Sequence, residues 1–327
     1  MPRVLITPPQ FQDPQRTYYK KLIAAGFEVR FASKPLTGAD APTLLRELEG
    51  IDGVLASTEP YTREVLGKAK LRAIARAGVG YDSVDVPAAS DHGVVVTITP
   101  GAVDVSVAEH TLALILGIFR DVVGRDREVR SGKWTRAARP RLAGRTLGIY
   151  GLGRIGKTLV PRAQGLGLQV VAHDPFADPA WAASQKVALL SSDDLFRTAD
   201  IISLHCPCTA ETANLIGERT LKLMKPDAVL VNMGRGGLVD EVALATAMKA
   251  GHLFGAALDV FQVEPLPTTS PLLGIPNLLL ATHTGGLDFQ SEEDMSCFAA
   301  QNLIDLQAGR WPEASIINRQ LKGNWRW

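Results

Sequence analysis

Three things are scarce in this 327-residue chain, and each scarcity removes a class of function. Cysteine occurs only at Cys206, Cys208 and Cys297, too few for the disulfide framework of a small secreted scaffold. Cys206-Pro207-Cys208 puts two thiols one residue apart with no second pair nearby, so no metal site is predicted. Charge of one sign is equally scarce: 35 Lys and Arg stand against 34 Asp and Glu, for a net charge of +1. No global field draws such a chain to nucleic acid or an acidic membrane, and Arg139, Arg141 and Arg145 read as a solvated connector. Long hydrophobic runs are missing too. None approaches the roughly 18 residues of a membrane span, and the opening MPRVLITPPQ is too short and proline-broken for a signal peptide. A cytoplasmic protein with reduced thiols is expected, with neither membrane nor nucleic acid as partner.

What is present is an ordinary globular composition, 46% hydrophobic and 21% charged, in a chain long enough for two domains. Strand and helix patterns alternate from end to end, which predicts α/β layers with largely parallel sheets. The first set has strands at RVLIT, EVRFA, GVLAS, LRAIARAG and GVVVTI. Helices fall at RTYYKKLIAAG, stopped by Gly26, and at APTLLRELEG. Next comes one long helix, TPGAVDVSVAEHTLALILGIFRDVV, apolar nearly all round from Val105 to Phe119 and so expected to be buried on several sides. The charged segment Gly124–Ala143, with Trp134, reads as an extended arm. A second set follows, with strands at TLGIYG, QVVAHD, DIISLHCP, AVLVNMG, GAALDVF and LLLATH. Among its helices is Asp240–Ala250, capped by Asp240 and stopped before Gly251. A final helix, roughly Glu292–Gln307, lines up Met295, Phe298, Ala299, Leu303 and Leu306.

The second set opens on GIYGLGRIGKTL, an apolar run followed by Gly-x-Gly-x-x-Gly. Here the fingerprint follows a strand and begins a helix, so the N–H groups of Arg154 and Ile155 are expected to face a bound anion. Gly151 permits the tight turn, Gly153 lets a pyrophosphate approach the backbone, and Gly156 lets helix and strand pack closely. The next strand ends in Asp174, about 18 residues beyond Gly156, where an acid hydrogen-bonds the adenosine ribose. A carboxylate there repels a 2′-phosphate, and no Arg or Lys follows it in Pro175-Phe176. NAD is therefore the predicted cofactor, in preference to NADP.

A dinucleotide site does not name a reaction, because the fold hosts many. The residues that follow other strands are more specific. Arg235 stands in NMGRGGLVDE, Asp259 and Glu264 in ALDVFQVEP, and His283 in LLLATHTGG. In a parallel sheet all strand C-termini lie on one edge, the edge where ligands bind. His110 and His205 read as structural, and His92, His173 and His252 as strand-edge or loop residues.

With these stretches in hand the chain resembles the D-isomer-specific 2-hydroxyacid dehydrogenases along nearly its whole length. The resemblance rests on ARAGVGYDSVD, SVAEHTLALIL, SGKW, LAGRTLGIYGLGRIG, AHDP, LHCP, NMGRGGLVDEVAL, GAALDVFQVEP and THTGG, in that order. It is greatest to the phosphoglycerate dehydrogenase and hydroxypyruvate/glyoxylate reductase branches, although the sequence stops after the core, without the extension many phosphoglycerate dehydrogenases carry.

The resemblance implies two Rossmann-like or flavodoxin-like α/β domains with parallel sheets and an active site in the cleft between them. Residues 1–100 plus 288–327 would form a discontinuous substrate domain and 101–287 the NAD-binding domain. It implies that Arg235 pairs with a substrate carboxylate, that His283 exchanges a proton with the substrate oxygen, and that Glu264 orients His283. Ser57, Val79 and Gly80 would meet the substrate from the first domain. Cys206, Pro207, Met233, Gly234, Asp259, Gly285 and Gly286 would line the cofactor. A homodimer acting on a small 2-hydroxy or 2-keto acid is implied. Two positions depart from the pattern: Thr282 stands where many relatives place proline, and VLASTEPY lacks the arginine with which phosphoglycerate enzymes meet a phosphate. That points away from a phosphorylated substrate unless Arg136 or Arg139 of a second copy supplies the charge. Phosphite oxidation and an NAD(H)-sensing corepressor are the rival readings. Formate oxidation is disfavoured because Glu264 replaces the usual glutamine.

Overall fold

The computed structural model describes the whole chain, Met1–Trp327, as two compact units. One comprises Met1–Val103 with Leu287–Trp327, the other Asp104–Gly286. In the first, β1 (Arg3–Ile6), α1 (Thr17–Ala24), β2 (Glu28–Phe31), α2 (Ala41–Glu47) and β3 (Gly53–Ala56) are followed by α3 (Arg63–Lys68), β4 (Ala73–Arg76), α4 (Val86–Asp91) and β5 (Val95–Thr97). The second unit opens with α5 (Asp104–Arg120), α6 (Val122–Arg130), β6 (Thr146–Tyr150), α7 (Arg154–Gly165), β7 (Gln169–His173) and α8 (Pro179–Ser184). It continues with β8 (Ala188–Leu189), α9 (Ser192–Thr198), β9 (Ile201–Leu204), α10 (Glu218–Leu223), β10 (Val229–Asn232), α11 (Glu241–Lys249), β11 (Gly255–Leu258) and β12 (Leu278–Leu280). The chain then returns to the first unit as α12 (Phe289–Gln307).

Both sheets are parallel throughout. The first has the order β2-β1-β3-β4-β5 and the second β12-β11-β10-β9-β6-β7-β8. These are the two doubly-wound orders, the second extended by one strand, and the second reverses direction between β6 and β9. Every residue of β3, β4, β9, β10 and β11 is buried. Helices cover such strands on both faces, which is why they read as continuous apolar runs. Leu5, Leu44, Val54, Tyr61, Ile74 and Val96 centre one core; Phe196, Leu204, Leu230, Leu244 and Leu258 centre the other. Each such side chain contributes about 1.5–3 kcal/mol by leaving water.

The expected α/β class and most elements are present, but several local expectations need correction. Two helices were not anticipated, α3 and α4. Each has only six residues, too short to display a periodic stripe. Their caps are legible: Thr62 accepts from the Val65 N–H and Asp85 from the Ala88 N–H, with proline in the first turn of α4. Strand β8 was also missed, because its two residues are exposed.

The long helix of the second unit does not run through to Val123. Asp121 adopts φ 53° and separates α5 from α6. Moreover α5 buries one stripe, Val107, Ala108, Thr111, Leu114, Ile115, Ile118 and Phe119, and leaves Val105 47% exposed. The supposed arm is in part helical: α6 buries none of its residues, and Trp134 beyond it is 80% exposed.

Helix α12 begins a turn earlier than its apolar stripe suggests. Asp288 and Ser291 form a reciprocal capping box, while Phe289 in that first turn is exposed and adds nothing to the pattern.

Candidate active site

The glycine loop lies at the reversal of the second sheet. Gly151 follows β6 with φ 100°, and a Cβ there would sit 2.8 Å from Cys206 N and His205 C. A Cβ on Gly156 would sit 2.4 Å from Gly151 O, whereas one on Gly153 would meet nothing within 4 Å. Two glycines thus close the turn against β9, and the third leaves open space over the backbone. Helix α7 begins at Arg154 with Gly153 as N-cap and no side chain capping it. The first-turn N–H groups, including those of Arg154 and Ile155, have no side-chain acceptor, which is what a pyrophosphate needs. The residues present fit a bound dinucleotide.

Asp174 has a second task that its position in sequence does not reveal. Its Oδ2 accepts from Leu152 N at 2.7 Å and its Oδ1 from Phe176 N at 2.8 Å. The carboxylate therefore ties the glycine loop to the end of β7, and each oxygen keeps a lone pair for a ribose hydroxyl. The Arg154 side chain turns elsewhere: Nε donates to Asp104 Oδ2 at 2.9 Å, at the start of α5.

Beyond β9, burial pushes the Cys206 thiol up to about 11, so it stays protonated and lends shape; the Pro207 carbonyl accepts from Thr212 Oγ1. His205, just before them, is buried with its Nε2 2.8 Å from Ser203 Oγ and no partner on Nδ1. Burial lowers its pKa from 6.5 to about 4. An unfolded chain protonates this ring as pH falls through 6.5, the folded chain only near 4. Stability is therefore whole above 6.5 and lost on the way down to 4, by about 1.4 kcal/mol per pH unit and about 3 kcal/mol in total. Urea unfolding at steps from pH 7 to 4 should show this loss and His205→Gln should flatten it. An unchanged slope in the variant would assign the loss to other groups.

The loops after β10, β11 and β12 interlock. Buried Asn232 accepts from Gly234 N at 3.0 Å and donates to Arg235 O at 2.8 Å, shaping the turn that presents Arg235. A Cβ on Gly234 would lie 2.8 Å from Cys206 O, and one on Gly236 1.9 Å from Phe261 C and O. The turn is thus pressed against the loops on either side, and Arg235 Nη1 donates to Gly234 O at 2.7 Å.

Glu264 Oε2 lies 2.7 Å from His283 Nδ1, and Oε1 accepts from Phe261 N at 2.9 Å. Burial raises the Glu264 pKa, but the His283 and Phe261 hydrogen bonds outweigh it and hold the carboxyl below its ordinary value. An ionised Glu264 fixes the proton on Nδ1 and leaves Nε2 as the outward nitrogen. His283 itself has φ 57°, a left-handed conformation that costs a β-carbon-bearing residue about 1 kcal/mol or more.

Asp259 holds that loop in place. It is 3% exposed, accepts from Thr284 N and Gly285 N at 2.9 Å on its two carboxylate oxygens, and accepts from His283 N at 2.8 Å on its carbonyl. Burial raises its pKa, but His110 and the two amides outweigh that and hold it below the ordinary aspartate value. A Cβ on Gly285 would lie 2.6 Å from Met233 Cε and 2.8 Å from Asp259 Oδ2, so an added methyl must displace the methionine tip and the hydrogen-bonded carboxylate. Gly286 is the last residue of this unit.

Ser57, Val79 and Gly80 belong to the first unit, after β3 and β4. A residue overlooked in sequence joins them: Arg76, 8% exposed, donates from Nε to Gly80 O at 2.7 Å and from Nη1 to Ser57 O. Ser57 N in turn donates to buried Glu59 at 2.7 Å. The arginine sits at the end of an otherwise apolar strand, and that buried-charge position was its one available signal.

Residues 112–285, over half of the chain, match the family described as D-isomer specific 2-hydroxyacid dehydrogenase, NAD binding domain. A glyoxylate reductase of Korarchaeum cryptofilum is 39% identical over 271 residues, 81% of each chain. A D-3-phosphoglycerate dehydrogenase of Mycobacterium tuberculosis is 41% identical over 304 residues, 90% of this chain but 57% of that longer one. Among solved structures, the TT0316 protein of Thermus thermophilus superposes with a TM-score of 0.85 at 36% identity, covering 96% of this chain and all of that one. With two parallel doubly-wound sheets, a glycine loop open to a dinucleotide and these relatives, the chain belongs to the D-isomer specific 2-hydroxyacid dehydrogenase family, whose NAD-binding domain it carries.

Proposed function

We propose that the protein interconverts a small D-2-hydroxy acid and its 2-keto acid with NAD, and that unphosphorylated acids such as glyoxylate and hydroxypyruvate are its substrates. The observation that carries this reading is the hydrogen-bonded pair of Glu264 and His283 in the loops after β11 and β12. Bound NAD(H) supplies or accepts the hydride. Gly151, Gly153, Arg154, Ile155 and Gly156 would hold its pyrophosphate and Asp174 its ribose. Cys206, Pro207, Met233, Gly234, Asp259, Gly285 and Gly286 would surround its nicotinamide end.

The protein's own part is positioning and proton transfer. Arg235 binds the substrate carboxylate with a planar fork of donors, a geometry that a point charge cannot supply. Ser57 and the backbone of Val79 and Gly80, held by Arg76, take the substrate from the first unit. His283 gives a proton from Nε2 to the keto oxygen, and removes it in the reverse direction. Glu264 stays ionised, accepts the Nδ1 proton and stabilises the imidazolium. Exposed Val122, Val123 and Val129 on α6, with Trp134 beyond, support a homodimer through this face. The unpaired cysteines suit a cytoplasmic location.

The test follows NADH absorbance while glyoxylate, hydroxypyruvate, pyruvate and phosphohydroxypyruvate are offered in turn, with NADPH in parallel and light scattering for the oligomer. Turnover on one or two unphosphorylated acids, poor with NADPH, is expected. Silence across the panel with NADH still bound would remove the reading and favour phosphite chemistry or a sensor.

A further inference from the structure

A titratable side chain outside the proposed machinery lies directly behind it. His110, two turns into α5, places Nε2 3.5 Å from Asp259 Oδ1. This nitrogen is buried and has no partner other than that oxygen, which it meets at the outer limit of hydrogen-bond reach, although the ring as a whole is 27% exposed. Asp259 is the residue whose carbonyl and two carboxylate oxygens receive the consecutive N–H groups of His283, Thr284 and Gly285. A buried carboxylate satisfied by two neutral amides alone is poorly compensated. The remaining lone pairs of Oδ1 face the one ring able to offer either a donor or a positive charge.

We propose that His110 is a positioning residue for the reaction, and that it fixes the Asp259 carboxylate which in turn sets the backbone of the His283 loop. The inference rests on the roles proposed for His283 and Asp259. The loop needs such support. His283 holds a left-handed backbone conformation, which persists only where surrounding contacts over-determine it. Asp259 supplies three of those contacts, and His110 is the side chain that selects the orientation of its carboxylate. Without the ring's N–H, Asp259 can rotate to seek another donor, releasing Thr284 and Gly285. His283 would then meet the substrate in several orientations, of which few are productive. The effect would fall on kcat, because Arg235 and the substrate loops of the first unit are untouched.

The test compares His110→Phe, which keeps the ring and removes the donor, with His110→Gln, whose amide can donate to Oδ1. In the intact 327-residue chain, H110F is expected to lower kcat at least tenfold with KM within threefold, and H110Q to return it to within threefold of the parent. Hydrogen exchange of the cofactor-free protein gives an independent readout: amides 283–285 should exchange at least tenfold faster in H110F and near the parent rate in H110Q. In an Asp259→Asn background, H110F should cost less than twofold more, because the two side chains act as one unit. If H110F does not fold, His110→Met, donor-free and similar in size to Gln, carries the same expectations. Unchanged kcat and exchange in the donor-free variant, or equal losses in H110F and H110Q, would overturn the proposal. A silent parent enzyme would instead count against the proposed reaction, and the exchange result would still judge His110.

Discussion

His283→Ala should lower kcat for 2-keto acid reduction about a thousandfold, the typical reach of a positioned general acid, while NADH binds within about twofold of the parent affinity. The split follows from the geometry. The ring is tied to Glu264 through Nδ1, which leaves Nε2 outside that bond, so under the proposed mechanism its loss removes the proton donor without disturbing the glycine loop. Glu264→Gln is expected to fall between, about tenfold to a hundredfold down. An amide oxygen can accept the same Nδ1 proton but lacks the charge that stabilises the imidazolium. Steady-state kinetics with fluorescence titration of NADH separates these effects. An alanine variant retaining a tenth or more of the parent kcat would show that another group delivers the proton.

Gly236→Ala should be the most disruptive single-methyl change in the chain. The added carbon would lie 1.9 Å from Phe261 C and O and 2.4 Å from Gln262 N. These are backbone atoms that no rotamer can move aside, so the turn carrying Arg235 must separate from the loop carrying Glu264. Overpacking of a rigid core costs about 1–3 kcal/mol, and a clash with main chain belongs at or above the top of that range. Chemical denaturation should show a loss of about 3 kcal/mol or more, with activity falling alongside. Gly153→Ala is the matched control: its methyl meets nothing within 4 Å and its backbone is extended. It should fold with nearly parental stability yet bind NADH more than tenfold more weakly, since the methyl would occupy the space in which the pyrophosphate is proposed to lie. Equal destabilisation by both substitutions would mean that the close approach at Gly236 relaxes without cost.

How much of this is legible in the sequence depends on the range of the interaction. Caps are local, so Asp240 before α11 and Gly251 after it were legible, as was the strand–Gly-x-Gly-x-x-Gly–helix order around Gly151. Helices α3 and α4 were not, because six residues complete less than two turns and show no stripe. The break at Asp121 was hidden for a different reason: the apolar pattern continues through Val122 and Val123, both exposed. Among the site residues, Glu264 and His283 were grouped by motif order, and the structure places them 2.7 Å apart. Arg76 and Asn232 were overlooked because their partners are main-chain carbonyls and amides, which leave no residue type to search for. His110 reads as structural in sequence, since its nearness to Asp259 depends on how α5 lies against β11.

The two backbone amides gathered by Asp174 bear on how this enzyme could change its diet of coenzyme. Removing the carboxylate to admit a 2′-phosphate would also free Leu152 and Phe176 from their acceptor, loosening the turn on which any dinucleotide must land. Routes to NADP therefore run through Asn or Ser at position 174, which keep an oxygen for the loop, with a new cation nearby. An abrupt exchange to Ala or Arg would sacrifice affinity for both coenzymes, and in an evolving lineage preference and loop order would have to drift together.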